Sequence, residues 1–506
     1  MARAAMSRAV AAIWAATALA TAHADPTPSV SELVGELKRL AARVEKLEKR
    51  NAELEAQVAA RPPGDAGLEQ RVQALETYRS GIEAGLADET VSEKEPELTS
   101  RLKAVENATL DMQKQSKTVE ALEGFAVGAS FASVGQKASG IGVSNTQLNY
   151  RADLTVTTPS IQTGNIESKL FAHLRAGQGK GIGQYFTAFN GPNATAFQLG
   201  SVVPPDTSAV LLAEAWYQAD IPLPLDGFKP RSRETLTVNF GKMDPFAFFD
   251  QNAGGNDETR QFLASMFVHN ALLDNPLAAN VGADGYGFSP GVRVAYLNER
   301  AKPEKYGLSL GVFAAGAAAS YDAPLESVFA ILQADTEQRL FTGLAGNYRL
   351  QLWYNGQAPT YVPDQTAEHY GFGLSFDQRV HDAVTLFGRY GMAWGDGLPF
   401  NATVSLGAEI GGSYWNRGAD ALGLALGANR TASGFRAQSA ALVNPDGSPV
   451  YGFAASGSEF DAEIYYRFHA HERFEISPDF QYIRNPAGNP DAKAISIFGL
   501  RLLLSY

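Results

Sequence analysis

The chain has 506 residues, with 49 Gly, 28 Phe, 19 Tyr, no Cys and a formal charge of −12. The length exceeds one small core, the missing Cys excludes disulfides, thiolate chemistry, Cys-based metal sites and a lipoprotein anchor, and the acidic balance argues against nucleic acid as a partner. Beyond the first twenty-five residues no run of eighteen apolar residues occurs, so no transmembrane helix is expected.

Residues 1–24 read as a secretory signal. Arg3 and Arg8 form a basic start, Val10 to Ala20 an apolar stretch, and Ala22-His23-Ala24 a small-x-small site, with cleavage between Ala24 and Asp25. Residues 25–60 carry a heptad seam. Val30, Leu37, Val44, Asn51 and Val58 fall at a, and Leu33, Leu40, Leu47 and Leu54 at d, spaced 3-4-3-4 throughout. Arg43 with Glu48 and Arg50 with Glu55 sit where a parallel coiled coil pairs charges between helices, and Asn51 fixes register. Arg61-Pro62-Pro63-Gly64 ends this helix. Residues 61–123 are charged and loosely periodic, and read as a helical stalk or linker.

At Gly124-Phe125 the pattern changes to period two. Leu148, Tyr150, Ala152, Leu154 and Val156 share one face, and Asn149, Arg151, Asp153 and Thr155 the other; Phe498, Leu500, Leu502 and Leu504 repeat the apolar face. Apolar outside and charged inside is the pattern of a membrane barrel, whose strands need only about ten residues each. The reading is an all-β transmembrane barrel of sixteen antiparallel strands over 124–506. The strands are 125–135, 147–157, 166–177, 210–221, 234–242, 287–298, 305–316, 326–335, 345–355, 369–379, 383–394, 402–415, 420–429, 458–468, 473–484 and 494–506. The long connections 178–209, 243–286 and 430–457 all follow odd-numbered strands, which puts them on the extracellular side if the first strand runs outward.

The segment from Gly241 to Gly287 is the third of those extracellular connections. It is too polar for lipid and long enough to fold inward and narrow a wide lumen. A helix is expected from Asp257 to Val268, capped by Asn256. Asp244, Phe249, Asp250, Asn252, Asn256, Asp257, Glu258, Arg260, Gln261 and Phe262 are its candidate functional residues. The acids among them do not match the spacing of a Ca²⁺ loop, and Phe246, Phe248, Phe249 and Phe262 read first as anchors to the wall and second as stacking surfaces for a sugar. Pore-lining candidates are Arg151, Asp153, Arg175, Arg293, Arg349, Gln351, Arg389, Glu463 and Asp479. They make either a paired, wet wall or a surface that binds sugar hydroxyls. No phosphate loop, nucleophile elbow or zinc motif occurs, so neither an enzyme nor a cofactor is expected.

FGKMDPFAFFDQNAGGNDETRQFLASMFVHN resembles the signature segment of the carbohydrate-selective porins of the OprB family. EFDAEIYYRFHAHERFEISPDFQYIRNPAGNPDAKAISIFGLRLLLSY is similar to that family's last three strands, and GNYRLQLWYNG is a third, weaker match. The resemblance covers about 124–506. The family's signature positions here are Asp244, Phe249, Asn252, Asn256, Asp257, Glu258, Thr259, Gln261, Phe262 and Leu263. The resemblance implies a sixteen-stranded barrel in the bacterial outer membrane, an inward-folded constriction loop, and passive diffusion of small sugars. The expected partners are those sugars, outer-membrane lipids, and further copies of the chain joined through the heptads, with a trimer favoured. The alternatives are a general diffusion porin, or a tether whose stalk contacts the cell wall.

Overall fold

The computed structural model describes residues 124–141, 145–197, 207–225, 232–279, 288–316, 323–341 and 343–506. The expected signal peptide, coiled coil and stalk lie outside the described residues.

Seventeen strands form one sheet. They are β1 (Ala126–Ser139), β2 (Asn145–Thr157), β3 (Ile161–Thr163), β4 (Ile166–Gln178), β5 (Ala209–Leu223), β6 (Glu234–Met243), β7 (Ser289–Asn298), β8 (Lys305–Ala314) and β9 (Val328–Leu340). The second half comprises β10 (Leu344–Pro359), β11 (Thr366–His381), β12 (Val384–Gly395), β13 (Phe400–Gly411), β14 (Ala421–Thr431), β15 (Glu459–His471), β16 (Phe474–Arg484) and β17 (Ile495–Ser505). Sixteen of them make a closed antiparallel barrel: β1 pairs with β2 on one side and with β17 on the other, as in Ser130↔Ser505, and β2 pairs directly with β4. Closure leaves no free sheet edge, which is what hydrocarbon demands of a β-protein. No helix among the described residues is long and apolar enough to cross a membrane.

The sixteen expected strands are all present. The seventeenth, β3, pairs only with β4, as in Thr163↔Ile166. It hangs on a two-residue Gly164-Asn165 turn, with Gly164 at φ 59, a hairpin signal in a stretch expected to be plain connection. Residues 412–415, expected as strand, form a 3-10 turn instead. β9 runs five residues further than expected, to Leu340.

The alternation sorts side chains as the membrane requires. On β15, Phe460 and Ile464 are exposed, while Asp461 and Glu463 are sealed. Apolar residues therefore face out and polar residues face in, the reverse of a soluble sandwich. A second apolar cluster lies on the polar side. Phe189, Phe249, Phe262, Phe267 and Phe435, all from connections, pack with strand residues such as Phe387 and Tyr465.

Candidate functional site

The expected helix Asp257–Val268 is not formed; only α1 (Ser265–Val268) is helical, and its cap is Ala264. Side chains take the backbone groups that a helix needs. Asp257 Oδ1 accepts the N–H of Thr259 at 2.9 Å, and Gln261 Oε1 accepts those of Asn256 and Asp257 at 2.8 and 3.1 Å. Glu463 on β15 then accepts the N–H groups of Leu263 and Ala264 at 2.6 and 2.9 Å. Asn256 therefore caps no helix.

The root of the segment is a turn at Pro245–Ala247, capped by Asp244, whose carboxylate accepts from Phe246 N at 2.8 Å. Asp244 N donates to Glu214 of β5 at 3.1 Å. Burial above all, then the nearby Glu214 and Asp274 carboxylates, push the Asp244 carboxyl up to about 7, against a smaller downward pull from His269. His269 stacks on Phe246 at 5.1 Å and bonds Asp274 at 2.7 Å. Burial alone lowers its affinity for a proton, but the Asp274 bond and charge outweigh that and raise it.

Beyond the root, the segment is bonded around the ring. Arg389 of β12, fully buried, donates to the Asp250 carboxylate at 2.9 Å and to the carbonyls of Phe267, Asp250 and Gly255. Asp250 is held at φ 54 and also accepts Asn270 N at 2.7 Å. A Cβ on Gly255 would lie 2.5 Å from the Phe267 carbonyl, so only glycine fits beside that clamp. Asn252 donates to Ser375 and to the Phe376 carbonyl on β11, and Asp250 N to Gln333 on β9. Gln261 reaches Glu409 on β13, and Arg260 pairs with Glu475 on β16. Arg501 of β17 donates to the carbonyls of Glu258 and Gln261 at 3.0 and 2.8 Å. The Glu258 carboxylate bonds Arg151 of β2 at 2.8 Å. Burial alone would raise the Glu258 carboxyl; Arg151, with Arg175 behind it, holds it below the usual range instead. Phe249 and Phe262 are sealed against Phe313 and against Phe387 with Tyr465.

The connection after β4 joins the same assembly, a role the sequence reading did not assign. Glu459 accepts the N–H groups of Phe189, Asn190 and Ala487, and Asn190 donates to Asp461. Gln136 and Gln481 both donate to the Pro192 carbonyl at 2.9 Å. Two backbone bonds, Ala194 N to Leu263 O and Ser265 N to Gly191 O, tie this connection to the segment. The turn-forming run Asn190-Gly191-Pro192-Asn193 was the available signal.

The pore-lining candidates divide. Arg151, Gln351, Arg389, Glu463 and Asp479 are buried, and three of them (Arg151, Arg389 and Glu463) bond the segment. Asp153, Arg175, Arg293 and Arg349 are half-buried. Asp153 gathers Arg151, Arg175 and His173 within 2.8 Å, and Arg349 pairs with Asp377 at 2.8 Å. Arg293 bonds Asn239 and Ser309 and lies over the Phe248 ring at 5.1 Å. Beside it Phe171, Trp216, Gln218, Asp220 and Asp335 are half-buried on the inner face of β4, β5 and β9. Their parity with Glu214 and Gln333 made them legible, but the candidate lining residues were drawn from other strand positions. Among the described residues no cluster of His, Asp and Glu is placed to hold a metal ion.

A family model described as "Carbohydrate-selective porin, OprB family" matches residues 172–506. The porin AaxA of Chlamydia pneumoniae is 29% identical over 147 residues, which are 28% of this chain and 30% of that one. The match thus spans less than a third of that relative's length. The high-pH structure of Pseudomonas putida OprB superposes with a TM-score of 0.59 at 14% identity, covering 78% of this chain and 97% of the other. That likeness speaks for the fold alone.

Proposed function

Because the chain belongs to the OprB family of carbohydrate-selective porins, a barrel of the bacterial outer membrane, we propose that it passes small sugars passively down their gradient, through a lumen narrowed by residues 244–279. The observation that carries this reading is the bonding of one segment to inner-face groups of nine strands spread around a closed ring. Only a chain enclosed by the ring meets them all. We place the remaining lumen along β4 to β10, where Phe171, Arg175, Gln218, Asp220, Arg293 and Arg349 on the inner face are half-buried. There Arg293, Asp220 and Gln218 replace water around the sugar hydroxyls, weakly enough for the solute to leave.

Liposome swelling with full-length protein tests this. Sugars should swell vesicles faster than non-sugar solutes of equal size. Equal rates for both would leave a general diffusion pore. We further propose that residues 1–24 are removed, with a mature start at Asp25, that 25–60 form a coiled coil favouring a trimer, and that 61–123 are the stalk. The intact mass of the secreted protein and sedimentation of the detergent-solubilised chain check these points.

A further inference from the structure

Large rings on the inner wall are mostly sealed: Phe313, Phe329, Trp353, Phe387 and Tyr465 each retain almost no exposure. Three rings are not. Phe171 on β4, Trp216 on β5 and Phe248 in the segment are all half-buried. They are also in contact with one another. Phe171 and Trp216, directly opposite in the β4–β5 register, stack at 4.7 Å with planes 22° apart. Trp216 meets Phe248 edge-on at 5.5 Å, and Arg293 lies over the Phe248 ring at 5.1 Å.

These are inner-face rings. Trp216 shares its face with Glu214, which accepts the Trp216 indole N–H at 3.1 Å and also the backbone N–H of Asp244. The outer face has its own aromatic pair, Tyr217 of β5 with Phe240 of β6. A sealed ring is ordinary core mass. Trp216 and Phe248 lean on the buried aromatic cluster, yet all three rings keep part of their surface open beside polar groups, and that apolar surface can take a partner.

We propose that Phe171, Trp216 and Phe248 form an aromatic track along which a pyranose slides, its C–H face against the exposed flank of the stacked rings and its hydroxyls on the polar border. The inference rests on the reading of the chain as a sugar porin and names the part of the wall that does the selecting. The border is on hand. Gln218 donates to Asp220 and accepts from Asn239, Thr237 donates to Asp220, and Lys169 lies opposite Gln218 in the β4–β5 register. The rings follow one another at about one sugar width, so a solute leaves one weak contact for the next without meeting a deep trap. The chemistry required of the solute is a six-membered ring with an apolar face. An open-chain polyol of the same size presents hydroxyls on every side and gains nothing from the rings.

The test uses full-length protein in planar bilayers, with glucose and sorbitol as probes of the ion current. In the wild type, glucose reduces the current at lower concentration than sorbitol. Phe171→Leu and Trp216→Leu should each raise the half-blocking glucose concentration about threefold to tenfold, the worth of one aromatic contact. Sorbitol block should stay as it is, and Trp216→Phe, which keeps a ring, should retain most of the glucose effect. Phe171 separates the track from mere anchoring, because it stacks on Trp216 from the strand side. Unchanged glucose block in both leucine variants, with the wild type still blocked, overturns the track and leaves the sugar-porin reading standing. A wild type indifferent to every sugar overturns that reading and the track with it.

Discussion

The wall from β11 through β17 to β2 and the wall from β4 to β10 obey the same alternation and carry the same residue types, yet they do different work. On the first, inner charges are buried and bonded to chain that is not strand: Arg389 to Asp250, Arg501 to two carbonyls, Glu463 and Glu459 to backbone N–H groups. On the second, Glu214 and Gln333 also reach the segment, but most inner charges are half-buried and bond neighbours within the wall, as Arg293 does with Asn239 and Ser309. One wall is mainly a rack that holds the segment, and the other is the wall we propose faces a solute. Charge on the inner face of a barrel is therefore not by itself a sign of pore lining; what covers it decides.

Breaking the rack should have the largest effect. Arg389→Ala leaves Asp250 buried and three carbonyls without a donor, at a cost of about 3–5 kcal/mol. Single-channel conductance should rise and proteases should cut within 244–279; wild-type conductance in this variant would contradict the division. On the other wall, Arg349→Ala should do less. Asp377 keeps its bond from Asn347 at 2.7 Å, so the loss is about 1–2 kcal/mol. The segment should stay protected while the reversal potential in a salt gradient moves towards cations.

The root sharpens the comparison through pH. An aspartate in the unfolded chain ionises near pH 4, but Asp244 keeps its proton to about 7 in the fold. Rising pH across that window therefore favours the unfolded state, and stability falls. His269, whose proton is also held more tightly in the fold, acts in the same direction, its contribution fading as pH rises. Asp244→Asn should flatten the pH dependence of the urea midpoint between about pH 4 and 7. Glu258 has the opposite sign: its stabilisation is lost on acidification. The smallest effect belongs to the rim, where Arg300 pairs with Glu234 while itself 69% exposed. Arg300→Ala should leave both the urea midpoint and the conductance essentially unchanged, because solvent screens so exposed a pair.

The strands were legible because lipid on one side and a largely polar interior on the other impose period two, interrupted only at bulges such as His173/Leu174. β3 escaped because three residues are too few for a period, although Gly164-Asn165 marked its turn. Inside the segment, a capping signal misled: Asn256 followed by Asp257 and Glu258 reads as a helix start, but the Asp257 and Gln261 side chains take the amides of 256, 257 and 259, and Glu463 takes those of 263 and 264. Parity placed Arg389 and Glu463 on the inner face. It could not reveal that they are sealed there, since cover is a tertiary fact. Trp216 and Phe171 had the right parity, and the missing step was to apply it to aromatics as well as to charges.

The ring closes between β1 and β17, where Ser139 bonds Ser496, 357 positions further along. Until that contact forms, the sheet presents two open edges, each able to recruit a stray strand. So distant a pairing is also slow to find. The segment's clamps draw on β2 at one end of the sheet and β17 at the other, so Glu258, held by both Arg151 and Arg501, reaches its final place only when the two ends meet. In the biogenesis of this protein, then, plug and seam are finished in a single act.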